Sequence, residues 1–253
     1  MIDSVWLYPI LFAGAMTAGW VDSIAGGGGL LTIPLLLWLG LPPQMVLGTN
    51  KFQASFGSFT AALYHVRKHV VRLDDALPGI LFTIAGSALG TWAVQLISSE
   101  TLNGIIPFLL LSIAVYFLFT PSVVHRAQSP KLARMHFYAL FGILLGFYDG
   151  FFGPGVGSFW AVMFVLALGF DLTRATGYTK VMNFTSNVVS LCIFLAAGHV
   201  VLVAGIVMAA GQILGARIGS GMVIRRGVKF IRPIFVTIVI LTTLKLLYNR
   251  FLS

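Results

Sequence analysis

Apolar residues run along this chain in ten stretches, separated by glycine, proline and charged breakers. They fall at about 5–24, 30–41, 49–66, 76–97 and 102–120 in the first half and at about 137–148, 156–168, 177–197, 200–223 and 230–249 in the second. Stretches of this number and length predict an all-α polytopic membrane protein. The second stretch of each half holds only about 12 or 13 residues, whereas a helix needs about 20 to cross the hydrocarbon core. Each is therefore expected to be the short arm of a helix–break–half-helix hairpin that enters and leaves by one face. That leaves eight full spans plus two hairpin elements. The stretch 5–24 is long enough to cross alone, so ten crossings stay open.

The breaks carry a second pattern. Val21-Asp22-Ser23-Ile24-Ala25-Gly26-Gly27-Gly28-Gly29, with Gly48-Thr49-Asn50-Lys51 after it, returns as Tyr148-Asp149-Gly150-Phe151-Phe152-Gly153-Pro154-Gly155-Val156-Gly157, with Gly177-Tyr178-Thr179-Lys180 after it. Asp22 aligns with Asp149, Gly26 with Gly153 and Gly28 with Gly155. After two extra residues, Gly40, Gly48 and Lys51 align with Gly169, Gly177 and Lys180. The chain reads as an internal duplication in one membrane domain: repeat 1 over about 1–120, a cytoplasmic linker over about 121–136, and repeat 2 over about 137–253.

Composition agrees with a bilayer. Of 253 residues, 58% are hydrophobic and 9% charged, with mean hydropathy +0.96, too little polar surface to cover a water-soluble globule. No Lys or Arg precedes the first apolar stretch, so it lacks the basic start of a secretory signal peptide and is expected to stay. The formal charge of +9 gathers in loops rather than on a face with interleaved aromatics, which argues against a nucleic-acid partner. Arg67, Lys68 and Arg72 follow the third stretch, Arg126, Lys131 and Arg134 join the halves, and Arg225, Arg226, Lys229 and Arg232 precede the last stretch. The positive-inside bias puts these loops in the cytoplasm and the connections around 98–103 and 198–199, which carry no Lys or Arg, outside, with both termini outside. Arg174 marks its own connection as cytoplasmic, whereas the counterpart Leu41-Pro42-Pro43-Gln44 is uncharged. The two halves then enter from opposite sides as an inverted-topology repeat, whose broken helices meet near the midplane. The single cysteine, Cys192, lies in an apolar stretch and reads as a small packing hydrophobe.

Glycine runs break a helix and bare the backbone N–H groups of the helix that follows, a setting for a carboxylate, sulfonate or similar oxyanion. Gly26, Gly27, Gly28 and Gly29, with Gly153, Gly155 and Gly157, are the expected backbone donors. Lys51 and Lys180 supply positive charge, unless both snorkel to an interface. Asn50, Gln53, Thr179 and Asn183 are expected to orient the ligand, with Asn187 on the face of Lys180 and with Ser55 and Ser58 continuing the face after Lys51. Asp22 and Asp149 either cap the breaks or carry a coupling proton, two compatible roles. His65 and His69 have metal-ligand spacing but no carboxylate or thiolate beside them, and read as solvated residues of a basic loop. No metal or other cofactor is expected. Gly86-Ser87-Ala88-Leu89-Gly90 and Gly211-Gln212-Ile213-Leu214-Gly215 are small-xxx-small seams for close helix packing. Arg217, after the second seam, is left between vestibule and interface. An intramembrane enzyme lacks a nucleophile and base here, so the chain is not expected to be an enzyme. A secondary carrier and an anion channel both fit the same residues.

The run Asp22-Ser23-Ile24-Ala25-Gly26-Gly27-Gly28-Gly29 through Gly48-Thr49-Asn50-Lys51-Phe52-Gln53-Ala54-Ser55-Phe56-Gly57-Ser58, with Asp149-Gly150-Phe151-Phe152-Gly153-Pro154-Gly155-Val156-Gly157, resembles the TauE/SafE sulfite-exporter family. The family is also called the toluenesulfonate uptake permeases, and the first motif is most similar to its YfcA-like branch. The resemblance covers essentially the whole chain. It implies a bacterial inner-membrane secondary transporter for anions, often sulfur-containing ones such as sulfite, a sulfonate or sulfoacetate, in a family whose members differ in direction. The expectation for this chain is a proton-coupled exporter working by alternating access, with protons carried at the intramembrane carboxylates. Tyr178-Thr179 replaces Thr49-Asn50 in the second half, so the cavity is not expected to be symmetric.

Overall fold

A computed structural model describes residues 6–119 and 129–226. Among the described residues the chain forms nine helices and no strand: α1 Leu7–Ala25, α2 Gly29–Trp38, α3 Pro43–Arg67, α4 Leu73–Gln95, α5 Ser99–Phe119, α6 Arg134–Phe151, α7 Val156–Leu168, α8 Leu172–Ala196 and α9 Leu202–Arg226. Nine of the ten expected stretches match these helices, with ends shifted by a few residues. The tenth stretch, 230–249, lies outside the described residues, as do Arg126, Lys229 and Arg232.

The short arms are as short as their apolar runs. At about 1.5 Å per residue, α2 and α7 reach roughly 15 and 20 Å, half to two-thirds of a hydrocarbon core of about 30 Å. Each ends on a glycine in the left-handed region, Gly40 at φ 72° and Gly169 at φ 67°, which terminates the helix without a Cβ penalty. Among the described residues three helices, α4, α8 and 202–222 of α9, are long and apolar enough to cross a membrane by length and composition. The 25-residue α3 is long enough but too polar on its inner face, where Asn50, Lys51, Gln53, Ser55 and Ser58 are buried.

The packing is turned inside out relative to a soluble bundle. On α4, Leu77, Leu81, Leu89 and Trp92 are exposed while Thr83, Ser87 and Thr91 are buried. The hydroxyl of Thr91 donates to the Gly150 carbonyl at 3.1 Å and shares a hydrogen bond of 2.8 Å with Ser190 Oγ, so its place on the hidden face is satisfied within the protein. Outward apolar and inward polar residues are what a lipid surround selects.

Helices of one half pack on helices of the other. α1 lies along α9 and α4 along α6, while α3 and α8 cross at the centre. The two glycine seams make these approaches. A Cβ on Gly90 would sit 2.0 Å from the Phe147 carbonyl oxygen of α6, and one on Gly215 would sit 1.9 Å from the Met16 carbonyl oxygen of α1. Gly215→Ala is therefore expected to lower stability by about 1–3 kcal/mol through overpacking. Gly221→Ala on the same helix meets only Tyr64 Oη at 3.8 Å and is expected to be neutral or stabilising. Thermal unfolding of the two variants in detergent separates them.

Charge is sorted between the two ends of the bundle. Asp75, at the start of α4, pairs with Arg134 of α6 at 2.9 Å and Arg174 of α8 at 3.7 Å, and the Lys131 amide donates to the Ala167 carbonyl at 2.9 Å. These basic connections share one end with the α3–α4 turn, since the Arg72 amide donates to Tyr178 Oη at 3.4 Å. At the other end the connections without Lys or Arg gather. Gln44 Nε2 donates to the Ile97 carbonyl at 3.0 Å and Ser99 Oγ donates to Gln44 Oε1 at 2.6 Å. His199 Nδ1 is 2.8 Å from Gln95 Oε1, and the Val201 amide donates to Thr49 Oγ1 at 3.0 Å.

Candidate functional site

Both glycine breaks arrive at one place. Gly26, at φ 73°, lies so close to Gly157 that a Cβ on it would come within 2.6 Å of the Gly157 backbone, and a Cβ on Gly157 within 2.7 Å of Gly26 Cα. Ser158 fastens the contact by donating its hydroxyl to the carbonyls of Ala25 and, at 2.9 Å, Gly26. On the second break Gly155 starts α7 from the left-handed region at φ 81°, and Tyr148 Oη ties the turn by donating to the Pro154 carbonyl at 2.6 Å.

Each lysine meets the aspartate of the other half. Lys51 Nζ of α3 lies 2.6 Å from Asp149 Oδ1, and Lys180 Nζ of α8 lies 3.0 Å from Asp22 Oδ2. Lys51 is 2% exposed and Lys180 0%, so neither snorkels to an interface in this structure. The two positive charges are already neutralised, and the site carries no net charge from these four groups. Lys51 also donates to Asn187 Oδ1 at 3.2 Å, and Lys180 to the Asp22 carbonyl.

The aspartates are held differently. Asp22 Oδ1 accepts from the amides of Gly27 at 2.9 Å and Gly28 at 3.0 Å, so it caps the first break. Asp149 caps nothing among the described hydrogen bonds; its second oxygen accepts from Ser186 Oγ. Gly153, at φ 96°, makes room for this pair, because a Cβ there would lie 2.7 Å from Asp149 Oδ1 and 3.0 Å from Lys51 Nζ.

A cavity of about 30 Å³ lies beside the breaks, room for one or two waters. Of the residues expected at a site, Asp22, Gly28, Gly29, Asn50, Lys51, Gln53, Asp149, Gly153 and Asn183 line it. Gly26, Gly27, Gly155, Gly157, Thr179 and Lys180 do not: the glycines form the break-to-break contact or cap, Lys180 turns to Asp22, and Thr179 is buried with its hydroxyl unpartnered. Ser55 and Ser58 return their hydroxyls to carbonyls one turn back on α3, at 2.7 Å each.

Asn50 Oδ1 accepts from Thr32 Oγ1 at 2.6 Å and Gln53 Nε2 at 2.9 Å. Gln53 Oε1 and Asn183 Oδ1 are buried without a partner. Rotation of a terminal carboxamide exchanges its oxygen and nitrogen, so these side chains can offer lone pairs to water or N–H donors to an anion. Gln212, Asn187, Ala54 and Val156 complete the lining. Asn187 had a sequence signal, being one turn beyond Asn183. Gln212 had none, since it sits inside a seam. It reaches the cavity because Gly19 and Gly57 leave space for it, a Cβ on Gly57 falling 2.3 Å from Gln212 Oε1.

Two side chains correct the sequence expectation. His65 is not solvated: α3 carries it inward, fully buried, against Gly177, and neither ring nitrogen has a partner. Cys192 is exposed on the outer side of α8 rather than packed within. His69 is exposed as expected, and Arg217 is exposed on α9. Among the described residues no group of three or more His, Cys, Asp or Glu could hold a metal ion.

The family model described as Sulfite exporter TauE/SafE matches residues 11–246. The chain is 46% identical to a Haemophilus influenzae protein named "Probable membrane transporter protein", over 96% of both chains. It is 44% identical to the Escherichia coli K12 "Probable membrane transporter protein YfcA", over 96% of this chain and 90% of that one. To the Sinorhizobium "Probable membrane transporter protein ORF9" it is 42% identical, over 95% and 92%. No solved structure gives a match. The apolar exterior, the helical bundle and these relatives make it a membrane protein, and the chain belongs to the TauE/SafE sulfite-exporter family.

Proposed function

We propose that the protein is a secondary active transporter that exports a small sulfur-containing anion, such as sulfite, a sulfonate or sulfoacetate, coupled to protons and working by alternating access. One observation carries this reading: Lys51–Asp149 and Lys180–Asp22 pair across the two halves where the glycine breaks touch. Charges buried in a membrane protein are costly, so crossed pairs at a cavity need a use. An anion that takes the place of a carboxylate at a lysine loosens the joint between the halves, which is what alternating access requires. In this role Lys51 holds the charge at the cavity while Lys180 stays behind it on Asp22, the glycine breaks present backbone donors, and Asn50, Gln53 and Asn183 orient the ligand, with Thr179 reaching it only once the hairpins part. A cavity of about 30 Å³ is too small for an organosulfonate, so the hairpins part to admit it.

The architecture that goes with this reading is an inverted-topology repeat. Two hairpins dip in from opposite sides of a bacterial inner membrane, with eight full spans, the basic end of the bundle in the cytoplasm and both termini in the periplasm. Its support is the matched left-handed ends at Gly40 and Gly169, the matched seams and the sorting of charge between the two ends.

The test is a thermal-stabilisation screen of the purified protein against sulfite, methanesulfonate and sulfoacetate, with acetate and chloride alongside. A ligand at about 100 times its Kd adds about 2.7 kcal/mol of apparent stability. The expected result is a saturable rise with at least one sulfur oxyanion. No rise with any of them removes the reading.

A further inference from the structure

We propose that the two aspartates of the paired breaks divide the work: Asp22 is a fixed structural anion, and Asp149 is the exchangeable one, releasing Lys51 to the transported anion as it takes up a proton. This rests on the anion-transport reading above and names the group that couples it to protons.

The division follows from what holds each carboxylate. Asp22 is gripped on both oxygens, by the Gly27 and Gly28 amides at 2.9 and 3.0 Å and by Lys180 at 3.0 Å. Protonating it would weaken two backbone hydrogen bonds in a buried turn that have no other acceptor there. Its lysine, fully buried, does not line the cavity. Asp149 has only side-chain partners among the described hydrogen bonds, Lys51 at 2.6 Å and the Ser186 hydroxyl. Asp149, Lys51 and Asn187 all line the cavity.

The surroundings of Asp149 are built for both protonation states. A hydroxyl accepts as readily as it donates, so a protonated Asp149 donates to Ser186 Oγ. Ser186 in turn directs its own hydrogen to the Asn183 carbonyl, 3.2 Å away. Lys51, once released, keeps Asn187 Oδ1 at 3.2 Å and faces the cavity. Lys51 from α3 is the charged group paired with Asp149; α8 supplies Ser186 and Asn187, the break supplies Gly153, and the other acid at the cavity, Asp22, is committed to Lys180. The difference is written in the duplicated sequence, because Ser186 aligns with Gly57 at the spacing that aligns Lys180 with Lys51.

The exchange balances. One proton from solvent binds the Asp149 carboxylate, the Lys51–Asp149 ion pair breaks, and a Lys51–anion pair forms. Anion affinity therefore falls about tenfold per unit rise in pH over the range where Asp149 is ionised in the empty protein and protonated in the anion complex, and about one proton is taken up per anion bound there.

Calorimetric titration of the full chain with methanesulfonate, which stays ionised throughout, tests this between about pH 5.5 and 8.5 in buffers of different ionisation enthalpy. Wild type is expected to show the tenfold slope and the proton uptake. Asp149→Asn is expected to bind with a flat pH profile and no uptake, and Asp22→Asn to lower the unfolding temperature, because it leaves buried Lys180 unpaired and removes the charged acceptor of two turn amides. Asp149→Glu, which retains an ionisable group if Asp149→Asn does not fold, is expected to keep the slope. A pH-independent wild type, a sloping Asp149→Asn, a flat Asp149→Glu or an Asp22→Asn of unchanged thermal stability overturns the division. Binding of no oxyanion by wild type overturns instead the anion reading on which it rests.

Discussion

Lys51→Ala is expected to destabilise the folded protein by about 3–5 kcal/mol, the cost of leaving a buried carboxylate without its cation. Lys51 and Asp149 side chains are 2% and 4% exposed, so water cannot take over the role of the ammonium group. Thermal unfolding in detergent should fall by on the order of 10 °C. The double variant Lys51→Ala/Asp149→Ala removes the stranded charge and is expected to recover most of that loss while still failing to bind an anion. A double variant as unstable as the single one would mean that the pair is not what the site depends on. The comparison also separates the stability role of the pair from its binding role, which single substitutions cannot do.

Gly26→Ala has the second largest expected effect. Gly26 combines a left-handed backbone, φ 73°, with a Cβ position 2.6 Å from the Gly157 backbone. Conformational strain contributes about 1–3 kcal/mol. Pushing the two breaks apart adds about 1–3 kcal/mol more, because the obstacle is backbone and cannot rotate away. Gly40→Ala is the matched comparison. Its φ of 72° is nearly the same but nothing lies within 4 Å of the added Cβ, so only the strain remains. Unfolding midpoints of the two variants should differ by the contact term, and transport should be lost in Gly26→Ala alone. Equal losses would show that the break-to-break contact carries no energy.

How much of the site was legible in the sequence depends on the range of the interaction. Asp22 as a cap on Gly27 and Gly28 was within reach, because both amides lie five and six residues on and a short carboxylate has few other places to go. That Lys51 would find Asp149, 98 residues away, and Lys180 find Asp22, 158 residues away, was not, because each lysine had one break aspartate in its own half of the chain and another in the opposite half. The same limit hid His65, whose neighbours on the chain are basic and solvated but whose own side chain is turned into the protein beside Gly177.

From the sequence alone come the helical class, the position of the two glycine breaks and short arms, the seams and the family, since these are properties of local composition, run length and motif. An apolar run long enough for hydrocarbon and a glycine run that cannot stay helical announce themselves without reference to the rest of the chain. Only the tertiary structure decided that the breaks touch, that each lysine is neutralised by the opposite half, that Thr179 and Lys180 stand off the cavity, and that Gln212 and Asn187 enter it. Those outcomes depend on how the two halves of the chain nest against each other. That nesting is set by packing of helix on helix at glycine seams far apart in the chain, and no local pattern encodes it.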